Sequence, residues 1–261
     1  MNLPIYQVDA FTDHVFGGNP AAVCPLESWL PDQTMQSIAT ENNLSETAFI
    51  VPLNGGYHIR WFTPVYEVDL CGHATLASAF VIFNHLDYQG EEIVFHSRSG
   101  ELRVQKSGDQ MVMNFPADII SEVSIPETLA ASFNITPRSA YKGKTDYLLI
   151  YESESDIQNL TPDFSLMRKT EARGVIVSAP GDEVDFVSRF FAPLAGVDED
   201  PVTGSAHTTL TPFWVNQLGK NPLSARQISA RGGVLACRLE GERVFLTGQA
   251  QLYLTGNIYI S

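Results

Sequence analysis

An internal repeat constrains this chain more than any other feature. Arg60-Trp61-Phe62-Thr63-Pro64-Val65-Tyr66-Glu67-Val68-Asp69 can be set against Arg189-Phe190-Phe191-Ala192-Pro193-Leu194-Ala195-Gly196-Val197-Asp198, with identity at five of ten positions. The offset is 129 residues, close to half of a chain of 261. After a further shift of three residues, Gly72-His73-Ala74 meets Gly204-Ser205-Ala206, and each copy then enters an apolar helix. Self-similarity at such a spacing points to a duplicated unit, and a chain of this length exceeds the usual size of a single core. The competing reading is two strands that converged on the same turn chemistry.

The hydrophobic pattern fills in each half. Ile5–Phe11, Glu46–Val51 and Tyr57–Thr63 read as strands, and so do Tyr147–Tyr151, Gly174–Ser178 and Val184–Phe191. Pro31 suits the first position of a helix that breaks at Asn42-Asn43-Leu44-Ser45. His73–Leu86 and Ser205–Leu218 are apolar on nearly every side, which predicts helices buried in the middle of a domain. Gly219 is placed to cap the second of them. Ser121–Pro137 reads as a loop with a short helix, where the chain crosses between domains. Several short strands end the chain, with turns expected at Gly232-Gly233, Gly241 and Gly256. The expected domains are 1–118 with 250–261, where the last strand returns, and 119–249, with an active-site cleft between them.

Composition excludes several partners. The net charge is −14 and no Lys/Arg block interrupts it, so nucleic acid is not an expected partner. No apolar stretch of about 18 residues occurs, so no membrane span is expected. Three scattered cysteines and a start that lacks a signal-peptide pattern fit a cytoplasmic protein. An anionic substrate would need strong local donors on so acidic a chain. Two helices that each begin at a glycine, Gly72 and Gly204, offer such donors through their free N–H groups and positive dipole ends. The plainer role of both glycines is to permit tight turns.

A few residues carry candidate chemistry. Glu46 begins a strand just after a loop, where a glutamate is ordinarily a solvated edge residue. His73 opens an apolar helix, a common place for a cap or core histidine. Asp200 ends the acidic run Asp198-Glu199-Asp200, ordinarily a solvated loop, although one acid near a helix start can be held as a proton donor or acceptor. Thr203 and Ser205 suit helix N-caps. Cys71, beside Gly72, could act as a thiolate base. No dinucleotide fingerprint, Walker loop or nucleophile elbow is present, and the six histidines show no paired metal spacing, so neither cofactor nor metal is expected.

Gly18-Asn19-Pro20-Ala21-Ala22-Val23, Asn43-Leu44-Ser45-Glu46-Thr47-Ala48-Phe49, Phe62-Thr63-Pro64, Cys71-Gly72-His73-Ala74-Thr75 and Glu199-Asp200-Pro201-Val202-Thr203-Gly204-Ser205-Ala206 together resemble the phenazine-biosynthesis PhzF-like family. The resemblance runs the length of the chain with its motifs in order. It implies an α+β fold of the diaminopimelate epimerase type: two similar domains, each a mixed or antiparallel sheet wrapped around a central helix. It implies an isomerase that moves a proton without cofactor or metal. Catalytic roles carry over to Glu46, His73 and Asp200, and substrate-binding roles to Asn19, Ser45, Gly72, Gly204 and Ser205. The expected partners are a small carboxylate substrate and a second copy of the chain in a homodimer. Cys71 departs from the best understood member type, which has a small apolar residue there. Two rival readings remain at this point: a non-catalytic binding protein of the same fold, and an amino-acid epimerase that depends on Cys71.

Overall fold

The two long apolar helices hold too much hydrophobic surface to lie on an exterior, and each is buried within its own unit. The computed structural model describes residues 1–260. One unit comprises Met1–Asn114 with Thr247–Ser261, the other Phe115–Leu246.

The first unit contains β1 (Asn2–Ala10), β2 (Asn19–Pro25), α1 (Asp32–Asn42), β3 (Glu46–Leu53), β4 (Gly56–Phe62), β5 (Glu67–Val68), α2 (Gly72–His85), β6 (Glu92–Ser97), β7 (Gly100–Ser107) and β8 (Gln110–Pro116). β1 pairs antiparallel with β2, β2 parallel with β3, β3 antiparallel with β4, β4 parallel with β6, and β6 antiparallel with β7. Helix α2 packs on β1, β2 and β3 and buries every residue from His73 to Ala79. Helix α1 covers the sheet elsewhere, with Met35, Ile38 and Ala39 packed around Phe49 and Phe62. Pro31 stands at its N-cap and not at its first helical position, and Asn43 ends it in the left-handed conformation at φ 49°.

The second unit contains β9 (Ser121–Val123), α3 (Glu127–Ala131), β10 (Ser139–Lys142), β11 (Asp146–Ile150), α4 (Glu154–Asn159), α5 (Phe164–Met167), β12 (Gly174–Pro180), β13 (Phe186–Ala192), β14 (Val197–Asp200), α6 (Gly204–Leu218), β15 (Leu223–Gln227), β16 (Gly233–Glu240) and β17 (Arg243–Gly248). Its pairings repeat the sequence of the first unit. β10 is antiparallel to β11, β11 parallel to β12, β12 antiparallel to β13, β13 parallel to β15, and β15 antiparallel to β16. Gly219 ends α6 at φ 59°, and its N–H donates to the Val215 carbonyl, a cap that needs no Cβ. Trp214 stacks on Phe186 at 5.8 Å, and its indole N–H donates to Ser178 Oγ at 3.0 Å.

The last strand, β18 (Ala250–Tyr259), belongs to the first unit and pairs antiparallel with β1. The turn expected at Gly256 is therefore absent. Gly256 lies inside β18 opposite Ile5, where the ladder with β1 holds the backbone extended. The short helices α4 and α5 were not expected either. Their N-caps, Ser153 and Asp163, each accept a first-turn N–H. They are too short for a hydrophobic period to reveal them.

The repeat acquires a structural signature and a corrected register. Arg60 grips Glu67 through Nε and Nη2, both at 2.7 Å. Arg189 grips Glu199 in the same two-pronged way at 2.7 and 2.9 Å. Glu67 therefore corresponds to Glu199, and Val68 to Asp200. The three extra residues of the second copy fall in the Pro193–Ala195 turn before β14, so the ungapped match of Asp69 to Asp198 does not hold.

Candidate active site

Three sequence-predicted residues meet at the start of α2. Glu46 is the first residue of β3, and the parallel register sets it beside Ala21 of β2. Gly18 makes the turn that delivers Asn19 to the start of β2. Its φ is +61°, and a Cβ there would lie 2.2 Å from the Ala10 carbonyl oxygen. His73 is the second residue of α2 and is 4% exposed. Its Nε2 lies 3.0 Å from Glu46 Oε2, and its Nδ1 lies 3.1 Å from the Asn19 amide nitrogen. The Glu46 oxygen is buried and has no aligned hydrogen bond, so the contact is a close approach without donor alignment. Ser45 is half-buried in the bend before Glu46. Gly72 opens α2, and the N-cap residue before it is Cys71, whose side chain does not cap the helix.

Cys71 joins this cluster. Its Sγ lies 3.6 Å from His73 Nδ1 and 4.0 Å from Nε2. Burial pushes the thiol up to about 11, and the Glu46 carboxylate pushes in the same direction. A neutral thiol near pH 7 is a poor base. Burial opposes the charged form of His73, but the Glu46 carboxylate and the Cys71 sulfur, whose pull is full only as the thiolate, together outweigh it. The imidazole therefore holds its proton well above the ordinary histidine range.

The second unit arranges the other predicted residues differently. Asp200 ends β14, and the Thr203 hydroxyl donates to its Oδ2. Thr203 occupies the N-cap of α6, yet its hydroxyl serves Asp200 and leaves the helix start uncapped by that side chain. Gly204 and Ser205 are the first two helical residues. Ser205 Oγ accepts from Arg173 Nη2 at 3.0 Å, and Arg173 is ion-paired with buried Asp146. Gln227 is fully buried. Its Oε1 accepts the Thr203 N–H at 2.9 Å, and its Nε2 donates to the Asp200 carbonyl at 2.7 Å and to Thr203 Oγ1 at 3.2 Å.

A family model for phenazine biosynthesis-like proteins matches residues 8–256. The chain belongs to the phenazine biosynthesis-like (PhzF) family. An uncharacterized isomerase of Pseudomonas aeruginosa is 50% identical over 260 residues and covers all of both chains. A crystal structure of a PhzF-family protein from Enterococcus faecalis aligns over all of both chains, with TM-score 0.97 and 46% identity. A Pseudomonas aeruginosa protein described as a predicted epimerase shares the fold at TM-score 0.75 and 21% identity, over 99% of this chain and 100% of its own. Membership in the PhzF family, with isomerase-named relatives, supports an isomerase activity. Among the described residues, no helix is long and apolar enough to cross a membrane.

In this PhzF-family chain, sequence reasoning missed Arg173 and Gln227. Extending the 129-residue offset backward from Arg60 and Arg189 sets Arg173 against Leu44, one residue off, because the second hairpin is one residue longer. Thr47 pairs with Phe62, and Val175 pairs with Phe191, so Glu46 corresponds to Gly174 and Ser45 to Arg173. For Gln227 no sequence signal existed, because its three hydrogen bonds reach back 24 to 27 residues. Sequence reasoning also missed the metal-ligand types gathered at α2: one ligand atom each from Glu46, Cys71 and His73 lies within 4.8 Å of the others.

Proposed function

We propose that this protein is a cofactor-independent isomerase of the epimerase type, and that Glu46 moves a proton between carbons of a small carboxylic acid. The observation that carries the reading is the Glu46–His73 pair. A buried carboxylate oxygen without an aligned hydrogen bond lies 3.0 Å from an imidazole that retains its proton. A carbon acid needs a base held in register and shielded from water, and an unsatisfied acceptor can take the proton without first breaking an internal bond. Glu46 accepts the proton from one carbon and returns it to another. His73 supplies a positive partner and a donor for an oxygen that gains charge in the transition state. Asn19, at Nδ1, fixes the ring. Asp200, Gly204 and Ser205 are proposed as substrate-orienting groups, with Ser205→Ala raising KM more than it lowers kcat.

The Cys71-dependent epimerase is disfavoured by the buried thiol, held near 11. The corresponding residue of the second unit, Thr203, offers no second thiol. The test is to incubate the protein with a panel of small carboxylic acids in deuterium oxide and follow deuterium entering carbon positions by NMR. The wild type is expected to label and isomerise at least one acid, and Glu46→Gln to label none. Labelling by Glu46→Gln at near wild-type rate would end the proposal. A rate that depends on Cys71 and not on Glu46 would install the rival.

A further inference from the structure

We propose that Glu46, Cys71 and His73 form a three-ligand site for a thiophilic divalent cation of the zinc type, and that occupancy shuts the proton-transfer pair down. The regulatory half of this proposal rests on the reading of Glu46 and His73 given above; the binding half does not.

The geometry comes first. Zinc bonds of about 2.0–2.3 Å in a tetrahedron place neighbouring ligand atoms roughly 3.2–3.7 Å apart. His73 Nε2 is 3.0 Å from Glu46 Oε2 and 4.0 Å from Cys71 Sγ. These two gaps come within about half an ångström of the tetrahedral ones, and all three ligand atoms lie within 4.8 Å of one another. Nε2 faces Glu46, whereas Cys71 Sγ lies nearer Nδ1, at 3.6 Å, so binding through Nε2 requires the thiol to turn toward it. Nδ1 is approached by the Asn19 side-chain amide, whose oxygen, turned to the ring, would accept the Nδ1–H of a ligating imidazole.

Chemistry and charge agree with that geometry. Sulfur, imidazole nitrogen and carboxylate oxygen are the donor types of zinc sites, and three protein ligands leave a fourth position open. As the metal bonds form, the Cys71 thiol proton and the Nε2 proton of His73 both pass to solvent. A thiolate and a carboxylate then neutralise the dication, so a buried site carries no net charge. The buried Glu46 oxygen, close to His73 but without an aligned hydrogen bond, gains a directed bond to the metal. None of this is available at the corresponding positions of the second unit, which are Gly174, Thr203 and Ser205. A carboxylate and an imidazole whose lone pairs are held by a metal cannot exchange a proton with carbon, so the cation acts as an inhibitor.

The test begins with protein stripped by a chelator and dialysed against zinc, with bound metal counted, and with cobalt(II) as a spectroscopic substitute. The expected result is one zinc per chain and a thiolate-to-cobalt charge-transfer band. Cys71→Ala should abolish the band and weaken zinc binding at least tenfold. His73→Gln, checked for folding by circular dichroism, should weaken binding comparably and serves if the cysteine variant fails to fold. Absence of stoichiometric binding, a cobalt spectrum without the thiolate band, or affinity unchanged in both variants would overturn the site. The two proposals fail separately. Zinc binding together with an active Glu46→Gln removes only the proton shuttle. An inactive Glu46→Gln in a chain that binds no zinc removes only the metal site. Full turnover with zinc bound would overturn the inhibitory role.

Discussion

The two units bring the same backbone to the same event, a strand, a tight turn, a glycine and the start of a buried helix, and then dress it in opposite ways. At the start of α2 the corresponding positions hold Glu46, Cys71 and His73. At the start of α6 they hold Gly174, Thr203 and Ser205. The first set is titratable and leaves a buried carboxylate oxygen without an aligned hydrogen bond. In the second set polar groups are tied down: Gln227 and Arg173 donate to the two hydroxyls, and Thr203 donates to Asp200. A duplicated scaffold thus keeps its packing while one copy retains groups free to react and the other becomes a rigid hydrogen-bonded frame. Unsatisfied groups cost stability, and satisfied ones lose reactivity, so a division between two copies meets both demands.

The largest effect should come from the open side. Glu46→Gln keeps shape and removes proton chemistry, so turnover should fall by roughly a hundredfold to ten-thousandfold. Asp200→Asn, in the tied-down copy, should cost far less. Steady-state kinetics on the acid found by deuterium exchange reads both. Equal losses would erase the proposed division.

The duplicated arginines sharpen the comparison through stability. Arg189 grips Glu199 and also donates to the Ile157 and Leu160 carbonyls at 3.2 and 3.0 Å. Arg189→Met strands all three acceptors and should cost about 3 kcal/mol in urea unfolding. Arg60→Met should cost less than half of that. Glu67 keeps Arg98 at 2.7 Å, and the other partner lost is the exposed Asp32. An equal cost would mean that the Arg–Glu pairs alone matter and the carbonyls add nothing.

These contrasts also show what the sequence could convey. The buried helices and most strands were legible, because apolar periodicity is a local property that survives into the fold. Gly256 reads as a turn from the sequence, since glycine inside a strand and glycine at a turn look alike until the partner strand is known. The repeat marked Gly72 and Gly204, but its ungapped window hid the Glu67–Glu199 match that fixes the true register. Glu46 and His73 could be named one by one, not as a pair. The 3.0 Å approach depends on β2, β3 and α2 packing together, and Asn19 stands 54 residues from the histidine it touches. Nor could the sequence say that Cys71 is buried to a degree that keeps its thiol neutral.

Gln227 tests how rigid the tied-down copy is. Gln227→Ala leaves the buried Thr203 N–H without its acceptor and removes both donations to the Asp200–Thr203 turn, a loss of about 2 kcal/mol. Gln227→Glu should recover part of it by restoring the acceptor for Thr203. A loss below about 0.5 kcal/mol would show that the turn holds itself.

The smallest effect separates the two helix starts by sign. Each buried helix carries one buried histidine near its N-terminus, and the two are pushed apart. His73 lies well above the ordinary range for the reasons already given. Burial pulls His207 down to about 4, against the smaller pull of the Thr203 carbonyl that accepts from its Nδ1. For His207 the unfolded chain takes up the proton first, near 6.5, so its contribution is intact above that pH and is lost as pH falls toward 4. For His73 the folded chain holds the proton more tightly, so its contribution is complete below about 6.5 and is lost as pH rises through its raised value. Between about pH 6.5 and 5.5 the wild type should therefore lose about 1 kcal/mol more stability than His207→Phe. Above about pH 6.5 it should lose more than His73→Gln, as read from urea unfolding at each pH. Imidazole NMR resonances resolve the pair directly. His207 should remain neutral down to about pH 4, while His73 should still be protonated above pH 6.5. Two imidazoles titrating together near the ordinary value would mean that the two helix starts differ in composition but not in electrostatic environment.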